Sequence, residues 1–151
     1  MAHTAANAGN RSPSATERLN AEIRDVGTEQ FVSSGYKPGI IRHIVLFRYK
    51  DEVRDSQRNE VTQRFVALQR SLRNGREYIV SIETGTQTSG EQADHGLQQA
   101  FVVTFRSEGD RNFYVGRPFV QDAQFIDLQH DQFKDYVTPF LDGVVVFDYS
   151  V

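Results

Sequence analysis

Two rhythms of apolar residues divide this chain. Over 40–49 they alternate with period two: His43, Val45 and Phe47 share one face, Ile44 and Leu46 the other. Both faces are apolar, so the strand is expected to be covered on both sides. The stretch 98–106 repeats the pattern, with Gln99, Phe101, Val103 and Phe105 on one face and Ala100, Val102 and Thr104 on the other. Residues 144–151 read as a last strand after an Asp142-Gly143 turn, and 78–84 as a second strand closed by Gly85. Between the strands the period lengthens to that of a helix. Val61, Phe65, Leu68 and Leu72 form one apolar stripe, with Asp55 as expected N-cap and Asn74-Gly75 as expected end. His130, Phe133 and Val137 form the stripe of a helix over about 127–140. Ser107 is placed to cap a short helix through Phe113 and Tyr114, which Gly116-Arg117-Pro118 breaks.

The order is β-α-β-β-α-β. It predicts an α+β, ferredoxin-like fold: an antiparallel four-stranded sheet with helices on one face. The other face keeps large apolar residues with nothing of its own to cover them. A second copy of the chain, packed sheet against sheet, is the expected cover. Ahead of this unit lies an extension, 1–39. Residues 1–14 are rich in Ala, Asn, Gly, Ser and Thr and read as a disordered tail. Ser14 and Glu17 have capping-box spacing, and Leu19, Ile23 and Val26 follow at helical spacing before Gly27. That helix has three placements open to it: on the domain, on a partner, or over a pocket mouth. The domain itself is expected over 40–151.

Composition narrows the function. A net charge of -3 with no Lys/Arg cluster argues against nucleic-acid and anionic-membrane partners. No apolar run is long enough to cross a bilayer, so a cytoplasmic protein is expected. The absence of cysteine excludes disulfides, thiolate metal sites and a cysteine nucleophile. No phosphate-binding glycine loop and no nucleophile-elbow motif occurs. His95 beside Asp94 is too small a group for a metal site, and none is expected. Eleven Phe residues point to an aromatic-walled core or pocket.

Four blocks carry a family resemblance: Arg-His-Ile-Val-Leu-Phe-Arg-Tyr from Arg42, the Phe65 to Leu68 helix, Phe-Val-Val-Thr-Phe-Arg-Ser from Phe101, and the run from His130 to Tyr149. Together they resemble the stress-responsive A/B barrel (Dabb) family over about 40–151. The resemblance implies a dimeric α+β barrel. It also implies kinship with olivetolic acid cyclase-like members, which close a linear polyketide by intramolecular aldol condensation without a cofactor. Matched to them, His130 stands at the position of the catalytic base and Tyr114 at that of the hydroxyl donor. His43 matches a histidine of the first strand, and Gln99 replaces a further pocket histidine. The implied pocket for an apolar or aromatic ligand takes its wall from His43, Val45, Phe47, Phe65, Gln99 and Phe101. One departure is clear: after Gly116-Arg117-Pro118 the chain carries about ten extra residues, 119–128, between Tyr114 and His130.

Each of these residues also has a plain structural reading. His130 can cap a helix, Tyr114 and His43 can be hydrogen-bonded core residues, and Asp148 can pin a strand end. Three functional readings therefore stand together: a cofactor-free cyclase-like lyase, a non-catalytic dimer that binds a small apolar ligand or serves in stress tolerance, and a haem or other monooxygenase of the same superfold.

Overall fold

The computed structural model describes residues 11–151; the N-terminal part of the expected disordered tail lies outside them. The chain order is α1 (Ala15–Val26), α2 (Thr28–Phe31), β1 (Pro38–Tyr49), α3 (Asp55–Ala67), β2 (Leu72–Arg73), β3 (Arg76–Glu77), β4 (Ser81–Thr86), β5 (Gln99–Ser107), α4 (Glu108–Val115), α5 (Leu128–Val137) and β6 (Leu141–Ser150). The main sheet runs β4-β5-β1-β6, and every neighbouring pair is antiparallel. This is the ferredoxin-like arrangement expected from the order of elements.

Register decides what each face does. His43 pairs with Val103 on one side and Asp148 on the other, and Val45 pairs with Phe101 and Val146. That face carries the helices and the core: Ile41, Val45, Phe47, Phe101, Val103 and Phe105 are buried. Phe65 of α3 lies flat on Phe101, with ring centroids 3.9 Å apart, and Phe133 of α5 meets Phe65 edge-on at 5.1 Å. The opposite face bears Ile44, Val145, Phe147 and Tyr149, and the last three are exposed.

Local sequence explains the helix ends. Ser14 Oγ accepts from Glu17 N at 3.1 Å, and the Gly27 N–H closes α1 on the Ile23 carbonyl. Ser107 Oγ accepts from Asp110 N at 3.0 Å and starts α4, as its position predicts. Elsewhere boundaries differ from expectation. Arg54, not Asp55, is the N-cap of α3, and the Gln57 side chain accepts from its backbone N–H. Asn74-Gly75 does not end that helix; both residues have positive φ and form the turn of the β2–β3 hairpin. Gly85 lies inside β4, and Asp142-Gly143 inside β6. The Arg48 side chain crosses Gly143 closely: a Cβ there would come 3.2 Å from Nη2.

The segment after α1 is integral to the core. Phe31 and Val32 are fully buried. Asn112 Nδ2 donates to the Phe31 carbonyl at 2.9 Å, and Arg73 donates to the Val32 carbonyl. Gly109 of α4 packs so tightly here that a Cβ would sit 1.7 Å from the Ser33 carbonyl oxygen. By contrast, no residue of α1 is buried.

Candidate functional site

The extra residues between Tyr114 and His130 fold inward. Val120 and Ile126 are buried, and Gly116, at φ 61°, lets Ile126 pack where a Cβ would meet its Cγ2 at 3.1 Å. Asp127 then caps α5. Its Oδ1 accepts from the backbone N–H groups of Gln129 and His130, and its Oδ2 accepts from the Tyr78 hydroxyl at 2.5 Å. This locks the first turn of α5, and His130 with it.

His130 and Tyr114 are thereby brought together. Their rings stack with centroids 3.7 Å apart and an interplanar angle of 13°. His130 Nδ1 hydrogen-bonds the Tyr114 backbone carbonyl. A carbonyl only accepts, so Nδ1 carries the proton and Nε2 of the neutral ring is the free acceptor. Burial pushes the His130 pKa down to about 3, only partly opposed by the bond to the Tyr114 carbonyl. Burial also raises the Tyr114 pKa far above the usual phenol value, with the charges of Asp127 and Asp148 adding to it. The Tyr114 hydroxyl is buried and has no hydrogen-bond partner among the described residues.

His43 completes the cluster. Its ring meets Tyr114 edge-on at 5.5 Å, and its Nδ1 lies 2.7 Å from Asp148 Oδ1. Arg111 Nη1 donates to the other carboxylate oxygen at 3.1 Å. Burial works against a charge on Asp148, but the hydrogen bond from His43 and the Arg111 guanidinium outweigh it and hold the carboxyl below its ordinary range. The cross-strand pairing of His43 with Asp148 thus fixes the imidazole with Nε2 free.

A cavity of about 680 Å³ opens between this cluster, α5 and the edge strand β6. His130, His43, Val45, Phe47 and Phe65 line it, with Phe133, Val137, Val144 and Val146. At its rim stand Arg111, Arg117 and Lys134; burial lowers the Lys134 pKa, partly offset by Asp131. Such a volume, mostly apolar with a few convergent polar groups, is that of a small-molecule site.

Three expected site residues lie off this wall. The Tyr114 ring stands behind His130 and does not line the cavity. Phe101 is fully covered by Phe65. Gln99 turns to a separate polar cleft beside α3, where Tyr49 Oη donates to its Oε1 at 2.6 Å and its Nε2 donates to Thr62 at 2.9 Å. Sequence reasoning in turn missed Arg111, Asp127 and Lys134. Only Asp127, a capping residue type just before the expected helix, carried a local signal. Among the described residues no group of three His, Cys, Asp or Glu side chains gathers as a metal site. No helix among them is long and apolar enough to cross a membrane.

Comparison with known proteins agrees with this fold. Hydroxynitrile lyase from Passiflora edulis is 25% identical with a TM-score of 0.59, over 76% of this chain and 94% of that one. A crystal structure of At3g17210 from Arabidopsis thaliana is 25% identical with a TM-score of 0.58, over 72% and 92%. A protein of unknown function from Thermobifida fusca, described as dimeric and ferredoxin-like, is 21% identical with a TM-score of 0.55, over 78% and 96%. A search of curated proteins finds no match. The profile of the Stress responsive A/B Barrel Domain, Dabb, matches residues 41–151, most of the chain, and the protein belongs to that family.

Proposed function

We propose that this protein is a lyase- or cyclase-type enzyme acting on a small, mostly apolar carbonyl compound, with His130 as proton acceptor and Tyr114 as hydroxyl donor. The carrying observation is His130 itself: a ring fixed by its Nδ1–H, kept neutral by burial, on the wall of an apolar cavity. In a polyketide cyclase-like reaction Nε2 takes the acidic proton from the carbon beside a carbonyl. The enolate carbon then adds to a second carbonyl, a C–C bond forms, and the new alkoxide recovers the proton from His130. Tyr114 is the hydroxyl donor of this reading: its buried, unpaired hydroxyl stands behind the His130 ring and meets the developing oxyanion when that ring pair opens toward the cavity. The reverse sense uses the same parts: His130 takes the proton from a hydroxyl, the C–C bond breaks to leave a carbonyl, its electron pair departs with the leaving carbon, and that carbon recovers the proton from His130. A hydroxynitrile lyase stands among the structural neighbours.

The test is turnover of two probes, a linear poly-β-keto thioester and an aromatic cyanohydrin. His130→Ala is expected to lose about 100-fold or more in kcat/KM on whichever is turned over. Wild-type rates equal to buffer, or an unchanged His130→Ala, would overturn the reading. A second reading rests on one observation: Tyr114 stands off the cavity wall. It makes the protein a non-catalytic binder of a small apolar ligand, and saturable binding of both probes without turnover would favour it.

The open sheet face is proposed to pack on a second copy. Val145, Phe147 and Tyr149 leave an apolar stripe on an edge strand, which isolated monomers rarely expose. Phe147→Lys is expected to convert a dimer to a monomer in light scattering; an unchanged mass would rule this face out.

A further inference from the structure

The helix that precedes the family domain has an apolar stripe with two duties. Ile23 and Val26, at its C-terminal end, pack on the core with α2. Ala15, Thr16 and Leu19, at its N-terminal end, line the cavity. The stripe follows helical spacing, so both ends look the same way; Leu19 also packs on the core, and its end in addition faces the open volume. Attachment is equally uneven. The residues after Gly27 are locked into the core by Asn112 and by the close approach at Gly109. Helix α1 has no buried residue, and beyond its stripe it is held by one clasp: Glu22 accepts from Tyr36 Oη at 2.6 Å and pairs with Lys37 Nζ at 2.6 Å. At the junction Gly27 has φ 83°, with nothing within 4 Å of where a Cβ would lie.

From this arrangement we propose that α1 is the gate and size filter of the cavity, with Leu19 as the residue that limits what enters and the Glu22 clasp as the latch. The site is therefore completed by a segment outside the residues that define the family. The ligand it admits is a compact apolar molecule that fits beneath Leu19, not a long chain that must project past it. The proposal rests on the cavity of the preceding reading and not on its chemistry.

The test uses the full chain, which has no tryptophan, so Leu19→Trp introduces a single indole at the proposed gate. Leu19 is only partly buried, so this change is expected to leave the fold intact, which an unchanged circular dichroism spectrum checks. The indole is expected to emit as one shielded from water; emission of a fully hydrated indole would overturn the proposal whether or not any ligand binds. Stopped-flow binding of 8-anilinonaphthalene-1-sulfonate gives the second readout. Leu19→Trp is expected to weaken the dye by about tenfold. Glu22→Ala is expected to raise both association and dissociation rates by roughly threefold or more, with little change in Kd. Unchanged affinity in the first variant, or unchanged rates in the second, would overturn the gate. If His130→Ala keeps full activity while Leu19→Trp blocks the dye, the catalytic reading falls and the gate stands.

Discussion

Acid should unfold this protein partly through one histidine. Burial keeps His130 neutral in the folded chain down to about pH 3, whereas in the unfolded chain it titrates near the ordinary histidine value of about 6.5. Between these values the unfolded state binds more protons, so stability rises with pH. The contribution is complete above about pH 6.5 and is lost as pH falls toward 3. Each pH unit in that window is worth about 1.4 kcal/mol, so the loss by about pH 4.5 is roughly 3 kcal/mol. The full window amounts to about 5 kcal/mol, a large share of a typical domain's stability.

His130→Asn isolates this term, because its amide can still donate to the Tyr114 carbonyl but cannot take a proton in this range. The groups around the ring are Tyr114, His43, Lys134 and Asp127, and all remain in the variant. Urea unfolding followed by circular dichroism at a series of pH values from about 7.5 to 4.5 gives both stability curves. The wild-type curve is expected to fall more steeply, the two converging by about 2–3 kcal/mol across the range. Curves that run parallel would refute the neutral, buried His130, and with it the free Nε2 acceptor on which the proposed proton transfer depends.

Two further outcomes follow from packing. Asp127→Ala removes the cap of α5 and leaves the Tyr78 hydroxyl buried without its acceptor. A loss of about 2–4 kcal/mol in chemical unfolding is expected, with turnover falling as His130 loosens; a loss below 1 kcal/mol would deny the cap this role. Gly109→Ala forces the Ser33 backbone away from α4, because the clash is with a carbonyl oxygen and not with a movable side chain. About 3 kcal/mol of destabilisation is expected in the same assay, and a neutral result would show that this contact is looser than drawn.

What could be read from the sequence was what local chemistry determines. The period-two runs placed β1 and β5 and their faces, since a strand's side chains alternate whatever surrounds it. Ser14 and Ser107 were legible as caps because each acts on a backbone group three residues away. Asn74-Gly75 misled for a related reason: positive φ serves a helix end and a tight hairpin alike, and only the pairing of Leu72 with Glu77 distinguishes them. Alternation put Gln99 and Phe101 on the face of His43 and Phe47, correctly. It carries no information on which part of that face a helix will cover. Phe65 covers Phe101 and Thr62 takes Gln99, so both leave the cavity wall.

The candidate site shows the same division more sharply. Asp148 earns its place by lying opposite His43 in the β1–β6 ladder, a relation across 105 residues that no short pattern encodes. The extra residues before α5 stand between Tyr114 and His130 in the sequence, where length alone leaves open a lid, a reshaped pocket or a separated pair. In space the pair stays together. An insertion keeps two flanking residues together when its ends are fixed independently of its length, and here both ends are. Gly116 turns the chain at the close of α4, and Asp127, held by Tyr78, restarts it at α5. Val120 and Ile126 are buried between them, so the added length is taken up by packing and not by distance. Stacking of Tyr114 on His130 therefore depends on the two anchors and not on the spacing, which is why the pair survives in a chain whose connection is longer than the resemblance implies.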